Sequence, residues 1–135
     1  MNIHIITYAT HNEGLFDTLI NNEYNIDITV LGFGNEWGGF MDKIIHFNNY
    51  IKTLPQNDIV FFVDGFDSYI NQPLHIIKER FLSFNKKIVL SGDISSYIGP
   101  LLFGTCYNNM NANAGLYAGY NKNIQNLLNY IIETN

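Results

Sequence analysis

A chain of 135 residues, 47% of them hydrophobic, is long enough to form one folded domain over residues 1–135 and too apolar to be disordered. Its net charge of −5 argues against general nucleic-acid binding, which requires a basic surface. No apolar run approaches the roughly 18–20 residues of a membrane span, and the N-terminal residues lack the basic region and cleavage site of a signal peptide. The cytoplasm is therefore the default expectation for location, and the single cysteine, Cys106, excludes an intrachain disulfide.

The first half of the chain alternates between strand-like and helix-like hydrophobic periods. In chain order the pattern predicts a strand over residues 3–8, a helix from residue 11 to about residue 24, a strand over residues 26–31 and a helix from residue 40 that ends near Pro55. The stretch GFGNEWGG between the second strand and this helix is rich in turn-forming residues.

The second half of the chain continues this alternation. Residues 59–63 are apolar throughout, which is typical of a central parallel strand that is covered on both faces. The pattern then predicts a helix over residues 74–84, a short strand over residues 87–90, a long loop over residues 91–112, a strand over residues 114–120 and a closing helix from residue 124. The predicted fold is α/β, with three layers and a mainly parallel sheet.

Two aspartates, Asp64 and Asp67, follow the apolar strand directly in the turn VDGFDS. Ligands of open α/β sheets bind beyond the carboxyl ends of the strands, and Mg²⁺ or Mn²⁺ takes one or two carboxylates together with water and phosphate oxygens. Ordinary turn chemistry is the alternative, because Asp-Gly is a common turn and Asp67 can bond to its own backbone. A haloacid-dehalogenase-type phosphatase is disfavoured, since it requires one residue between its two acids and here there are two.

Three motifs follow one another along the chain: LGFGNEWGGFMDK (residues 31–43), VDGFDS (residues 63–68) and NANAGLYAGY (residues 111–120). In this order they resemble the glycosyltransferase domain of the collagen lysyl hydroxylases and the related procollagen glycosyltransferase-like proteins. The resemblance spans nearly the whole chain and implies a GT-A-type, Rossmann-like fold that binds a nucleotide sugar. It also implies that Asp64 and Asp67 hold Mn²⁺ or Mg²⁺ against the diphosphate of a UDP-sugar donor.

The same resemblance implies a set of contacts with the nucleotide. Trp37, the only tryptophan, matches the family residue that packs on the uracil. Phe66 stands where the family places an aromatic residue against the nucleotide, and a position in the core is the alternative. Ala9 and Thr10 match an Ala-Thr pair that contacts the nucleotide, although Thr10 would equally serve as the cap of a following helix.

Further positions match the family near the diphosphate and the acceptor. Lys43 aligns with a lysine that meets phosphate, with a solvated helix lysine as the alternative. Asp93 falls where the family has an acidic residue after a strand, and it is the candidate catalytic residue toward the sugar or the acceptor. Asn113 and Gly115 match a segment that leaves room for the donor sugar, although Gly115 would equally allow close strand packing. Among the four histidines, only His11 lies near this predicted site.

The implied reaction is metal-dependent transfer of galactose or glucose from a UDP-sugar to hydroxylysine of a collagen-like polypeptide. The family continues beyond the closing helix into an acidic Asp-Asp-Gln segment and a later metal-binding histidine, so the chain is expected to hold the nucleotide-binding part, truncated on the C-terminal side. The alternative is a non-catalytic nucleotide-sugar-binding or assembly module. Such a module would self-associate or need a partner chain that completes the domain.

Overall fold

The computed structural model describes residues 1–93 and 111–134. Within these ranges strands and helices alternate for most of the chain. In chain order the elements are β1 (Ile3–Tyr8), α1 (Phe16–Ile20), β2 (Ile28–Leu31), α2 (Phe40–Ile51), β3 (Ile59–Asp64), α3 (Leu74–Ser83), β4 (Ile88–Asp93), β5 (Asn111–Tyr120) and α4 (Asn121–Glu133). No helix in these two ranges is long and apolar enough to cross a bilayer.

The five strands form one sheet in the order β2-β1-β3-β5-β4. β1 pairs in parallel with both β2 and β3, whereas β5 runs antiparallel to its two neighbours, β3 and β4. Four of the described strands therefore point the same way, and the predicted α/β fold with a mainly parallel sheet is confirmed.

Helices cover both faces of the sheet, so the fold has three layers. On one face, α2 and α4 pack Phe47 and Leu128 against a core that includes Phe62 of β3. On the other face, Leu19 of α1 packs near Ile5, and α3 packs against the same side of the sheet. β3 is thus covered on both sides, which explains why its sequence is apolar at every position from residue 59 to residue 63.

The order of the strands changes direction at β1, because the two strands that follow it in the chain lie on opposite sides of it. The connection through α1 carries it to β2 on one side, and the connection through α2 then carries it over the opposite face to β3 on the other side. The carboxyl ends of β1 and β3 are neighbours here, with Tyr8 opposite Asp64 in the ladder. Such a switch point opens a crevice in which open α/β sheets bind ligands.

The first helix is shorter than the sequence pattern predicts, because it covers five residues and not the expected span from residue 11 to residue 24. Gly14 has a positive φ of 55°, and the amide of Leu15 donates to the carbonyl of Phe66 at 2.7 Å, so this segment is bonded to the β3 turn. At the other end, the buried Asn22 side chain accepts from the amide of Ile26 and donates to its carbonyl. These contacts satisfy backbone groups that a longer helix would have used.

The predicted loop over residues 91–112 is wrong at both ends. β4 extends to Asp93 and β5 begins at Asn111, with Asp93 opposite Asn111 and a register shift between Leu90 and Ser91. The polar sequences at these ends have low strand propensity, and the pairing between the two strands overrides it. Residues 94–110, which include Cys106, lie outside the described residues.

A buried carboxylate at the start of β3 makes the stability of the fold dependent on pH. Asp58 is buried, and its carboxylate accepts from the amide of Asn2 at 3.1 Å and bonds to Nε2 of His4 at 2.8 Å. The hydrogen bond with His4, and then that from Asn2, lower the pKa of Asp58 below its ordinary value of 3.8. Its stabilising effect is therefore complete above about pH 4 and is lost as the pH falls through the lowered pKa.

We expect Asp58→Asn to lower the free energy of unfolding by about 1–2 kcal/mol at pH 6, because a charge-assisted buried bond is lost. The difference from the wild type should shrink as the pH falls below about 4, since the wild-type carboxyl then becomes neutral as well. Urea denaturation of both proteins between pH 7 and pH 3 measures it. A difference that stays constant over this range would show that the ionised carboxylate does not stabilise the fold.

Candidate functional site

A cavity of about 380 Å³ opens at the carboxyl ends of β1 and β3. Ten residues line it: Tyr8, Ala9, Thr10, His11, Trp37, Lys43, Asp64, Gly65, Phe66 and Asp67. Seven of these are residues to which the sequence analysis assigned a binding or metal-holding role. The fold thus collects into one crevice residues from three separate segments of the sequence, while their individual roles stay predictions.

The end of β1 forms one wall of the cavity. Ala9 is buried, and its amide donates to the carbonyl of Leu31 at 3.0 Å, which holds β1 against the end of β2. The carbonyl of Thr10 accepts from the amide of Gly34, and its hydroxyl lies 2.9 Å from Nδ1 of His11. Thr10 does not cap the following helix, because α1 begins at Phe16 with no side-chain bond at its N-cap.

Trp37 forms an aromatic wall of the cavity and is 58% exposed, so it is not a core residue. Its ring packs against the ring of Tyr8 in a T-shaped arrangement, with 6.0 Å between the ring centroids. Tyr8 is itself buried, and its hydroxyl donates to the Asp42 carboxylate at 2.9 Å. Burial, and then the bond to Asp42, raise the pKa of Tyr8, so it remains a protonated donor at neutral pH. This bond ties β1 to the first turn of α2.

The Gly-rich loop before α2 needs glycine at position 32 for two reasons. Gly32 has a positive φ of 77°, and a Cβ at this position would lie 2.4 Å from the Tyr8 ring. Gly34 also has a positive φ, of 86°, but a Cβ there would meet nothing within 4 Å. The two glycines therefore share the backbone conformation and differ in the available space.

We expect Gly32→Ala to destabilise the protein more than Gly34→Ala, by about 1–3 kcal/mol, because both variants carry strained backbone and only the first also displaces a buried ring. Thermal unfolding of the two variants measures this difference, with Gly34→Ala as the matched control. Equal losses would mean that the Tyr8 ring adapts without cost and does not fix the loop.

An ion pair lies on the floor of the cavity. Nζ of Lys43 is 3.1 Å from Oδ1 of Asp64, and the two side chains are 17% and 32% exposed. The ammonium also lies 5.4 Å from the ring centroid of Phe62, which is buried. Lys43 is therefore not the solvated helix lysine of the alternative interpretation, because most of its side chain is shielded and its charge faces a carboxylate.

The turn after β3 carries the second carboxylate. Asp67 is exposed and lines the cavity, and Gly65 is buried, with space for a Cβ limited by the Ala9 side chain at 3.0 Å. The ring of Phe66 lies 5.1 Å from that of His11, and its carbonyl accepts from the α1 segment. Phe66 is half-buried at the cavity and belongs to none of the core clusters in the described part of the chain.

The donor set fits a hard divalent cation that keeps open positions. Asp64 and Asp67 both contribute a carboxylate to the lining of one cavity. Mg²⁺ or Mn²⁺ commonly takes one or two carboxylates and fills its remaining coordination positions with water and phosphate oxygens. Across residues 1–93 and 111–134 no group of three or more His, Cys, Asp or Glu side chains could hold a metal. A metal bound here would therefore share its shell with solvent or with a ligand.

Three predicted residues lie in the β4–β5 ladder and are not among the residues described as lining the cavity. The backbone of Asp93 ends β4, Asn113 lies opposite Ser91, and Gly115 follows in β5. The side chains of Asp93 and Asn113 lie outside what the structure describes. Their roles toward the sugar and the acceptor stay predictions.

Sequence analysis assigned no role to Tyr8 or Gly65 and left His11 only near the site. All three line the cavity. They directly adjoin residues that the motifs identified, at the ends of β1 and β3, so their positions in the sequence were the available signal. The hydrogen bond between Tyr8 and Asp42 joins residues that are 34 positions apart, and no local sequence pattern predicts it.

The fold and cavity define a Rossmann-like α/β protein whose site lies at the switch point of a mainly parallel sheet. The family model described as the PLOD GT domain matches residues 1–135, the whole chain. The chain therefore belongs to the PLOD GT domain family, the glycosyltransferase domain that its motifs resemble, and this membership indicates a glycosyltransferase-like function. No curated protein matches the chain.

Proposed function

We propose that the protein binds a UDP-sugar together with Mn²⁺ or Mg²⁺ in this cavity and transfers galactose or glucose to hydroxylysine of collagen-like chains. The observation that carries the proposal is that Asp64 and Asp67 of one motif and Trp37 of another line the same cavity at the switch point of the sheet. Family membership supports the transferase chemistry.

The nucleotide would enter between the two aromatic residues of the cavity. Trp37 offers an exposed ring that can stack on the uracil, and Phe66 offers a second apolar surface without the hydroxyl of a tyrosine. The polar groups of the nucleotide need hydrogen-bond partners, and the backbone of Ala9 and Thr10 lies in the lining of the same cavity. Apolar walls with a few polar groups are typical of such sites.

The diphosphate would lie over the carboxylates. Asp64 and Asp67 would hold the metal, which when bound neutralises the charge that develops on the leaving diphosphate. Lys43 adds a positive charge to the lining of the same cavity. Asp93 is proposed as the residue that acts toward the acceptor, with Asn113 and Gly115 leaving room for the donor sugar.

A second function is that of a non-catalytic nucleotide-sugar binder or assembly module, and exposed apolar surface favours its assembly part. The exposed apolar side chains include Phe84 directly after α3, Leu90 of β4 and Leu116 of β5, which would suit an association surface. Binding of UDP without any turnover, from a dimer or larger assembly in solution, would favour this function. A strictly monomeric mass would contradict the assembly part.

The decisive experiment is calorimetric titration of UDP into the protein with and without Mn²⁺, followed in parallel by the fluorescence of Trp37. We expect metal-dependent binding in the micromolar range, about −8 kcal/mol, with quenching of the tryptophan as the base stacks. Turnover of UDP-galactose and UDP-glucose with a hydroxylysine peptide then separates the two functions. No heat in either condition, from folded protein, would overturn the donor-site proposal.

A further inference from the structure

We propose that Lys43 is an exchangeable counter-ion that couples the binding of diphosphate and metal. In the absence of nucleotide it holds the Asp64 carboxylate, and a bound diphosphate draws the ammonium away and frees that carboxylate for the divalent cation. The inference rests on the proposed donor site and adds to it a rule for loading, namely that nucleotide and metal each increase the affinity for the other.

The ion pair supplies the first step of this argument. Lys43 lies in the first turn of α2 and reaches across to the last residue of β3, where its Nζ is 3.1 Å from Oδ1 of Asp64. The side chain of Lys43 is only 17% exposed, and its Nζ lies 5.4 Å from the ring centroid of the buried Phe62. The ammonium can therefore move only toward the cavity that Lys43 lines. Lys43 thus already occupies the position of a cation at this carboxylate.

A bound metal and the Lys43 ammonium compete because both are cations that bind the Asp64 carboxylate. An ion such as Mg²⁺ binds a carboxylate oxygen at about 2.0–2.1 Å, so it would lie close to an ammonium that is bonded to the same carboxylate. Two cations at such a separation repel strongly in a site that is partly shielded from water. The metal therefore binds Asp64 more weakly while Lys43 stays in place.

The balance of charges in the cavity also favours binding of the metal and the diphosphate together. Among the Lys, Arg, Asp and Glu side chains that line the cavity in the described part of the chain, Lys43 carries the single positive charge, against the negative charges of Asp64 and Asp67. A divalent cation alone would leave an excess of positive charge, and a diphosphate alone would meet two carboxylates. When both bind, the Lys43 ammonium would pair with the diphosphate, and the Asp64 carboxylate would be free to hold the metal. The lysine side chain is flexible enough for this shift because its ammonium is carried on a four-carbon stem with rotatable bonds.

The test measures Mn²⁺ binding by the electron paramagnetic resonance of free Mn²⁺, with and without UDP, in the wild type, Lys43→Met and the control Lys86→Met. Lys86 is exposed just before β4 and is not among the residues that line the cavity, and its replacement removes the same charge. We expect UDP to tighten Mn²⁺ binding about tenfold or more in the wild type, which is within the usual range of coupling between sites. Lys43→Met should bind Mn²⁺ alone several-fold more tightly, and the coupling should fall to a few-fold. The control should match the wild type.

Lys43→Arg provides a test in the opposite direction and guards against a folding defect in Lys43→Met. Its guanidinium binds a carboxylate in a two-point geometry, so Mn²⁺ alone should bind several-fold more weakly than to the wild type. Unchanged coupling in Lys43→Met, or unchanged affinity for Mn²⁺ alone in both variants, would overturn the exchange while leaving the donor site intact. Failure of the wild type to bind UDP in the presence of Mn²⁺ would overturn the donor site, and the exchange with it.

Discussion

Asp64→Asn is expected to abolish Mn²⁺-dependent binding of UDP and with it any transfer of sugar. Asparagine keeps the size of the side chain and removes the charge that a hard cation requires. Loss of even a supporting residue around a metal typically weakens metal binding by about 10–100-fold, so loss of a direct carboxylate ligand should weaken Mn²⁺ binding about 100-fold or more. Titration with Mn²⁺, followed by electron paramagnetic resonance, measures this loss, and calorimetric titration of UDP with and without Mn²⁺ measures the loss of metal-dependent binding.

The controls for this variant separate metal binding from charge and from folding. Asp27→Asn makes the same change at an exposed position outside the cavity lining and should bind like the wild type. Asp67→Asn should lose metal-dependent binding as well, since Asp67 lines the same cavity. In Asp64→Asn, binding of UDP without metal should persist, because Lys43 loses its partner and is free for the phosphates. Retained Mn²⁺-dependent binding would show that Asp64 is not a metal ligand.

Much of the architecture that positions the site could be predicted from local sequence. The uninterrupted apolar run of β3 indicated a strand buried on both faces, and the structure places it at the centre of three layers. Because the carboxyl ends of parallel strands share one edge of a sheet, the residues after β1 and β3 had to lie near each other. The ladder places Tyr8 opposite Asp64. Short-range patterns were enough for this much of the site.

The features that sequence analysis missed depend on contacts between distant segments. Asn22 ends the first helix by bonding to a turn, and strand pairing extends β4 into residues of low strand propensity. The partner of Lys43 lies 21 residues along the chain, and no spacing rule connects them. A lysine that follows a Gly-rich loop looks like a solvated helix residue until the fold places it over a buried aromatic ring. Only the packed structure shows which charges share the cavity.

Asn121 should be the most sensitive polar residue for stability among those the structure describes as buried. It is fully buried at the start of α4, and its Nδ2 lies within 2.8–3.1 Å of the carbonyls of Ile51, Leu54 and Pro55. These carbonyls belong to the end of α2 and the segment after it, where a helix leaves acceptors without intrahelical partners. One side chain therefore closes α2 and fixes it against α4.

Asn121→Ala is expected to lower the free energy of unfolding by about 3 kcal/mol, because it removes the side-chain donor to the carbonyl of Leu54, weakens the bonding of two further carbonyls that keep a backbone donor, and opens a small cavity. Thermal and urea denaturation measure the loss. Asn126→Ala is the matched control, since Asn126 is an exposed residue of the same helix and alanine there should be neutral or stabilise by up to about 0.7 kcal/mol. The proposed donor site lies at the opposite ends of the strands, so the UDP affinity of the folded Asn121 variant should stay unchanged. A loss no larger than that of the control would mean that water replaces the amide at little cost and that packing alone joins the two helices.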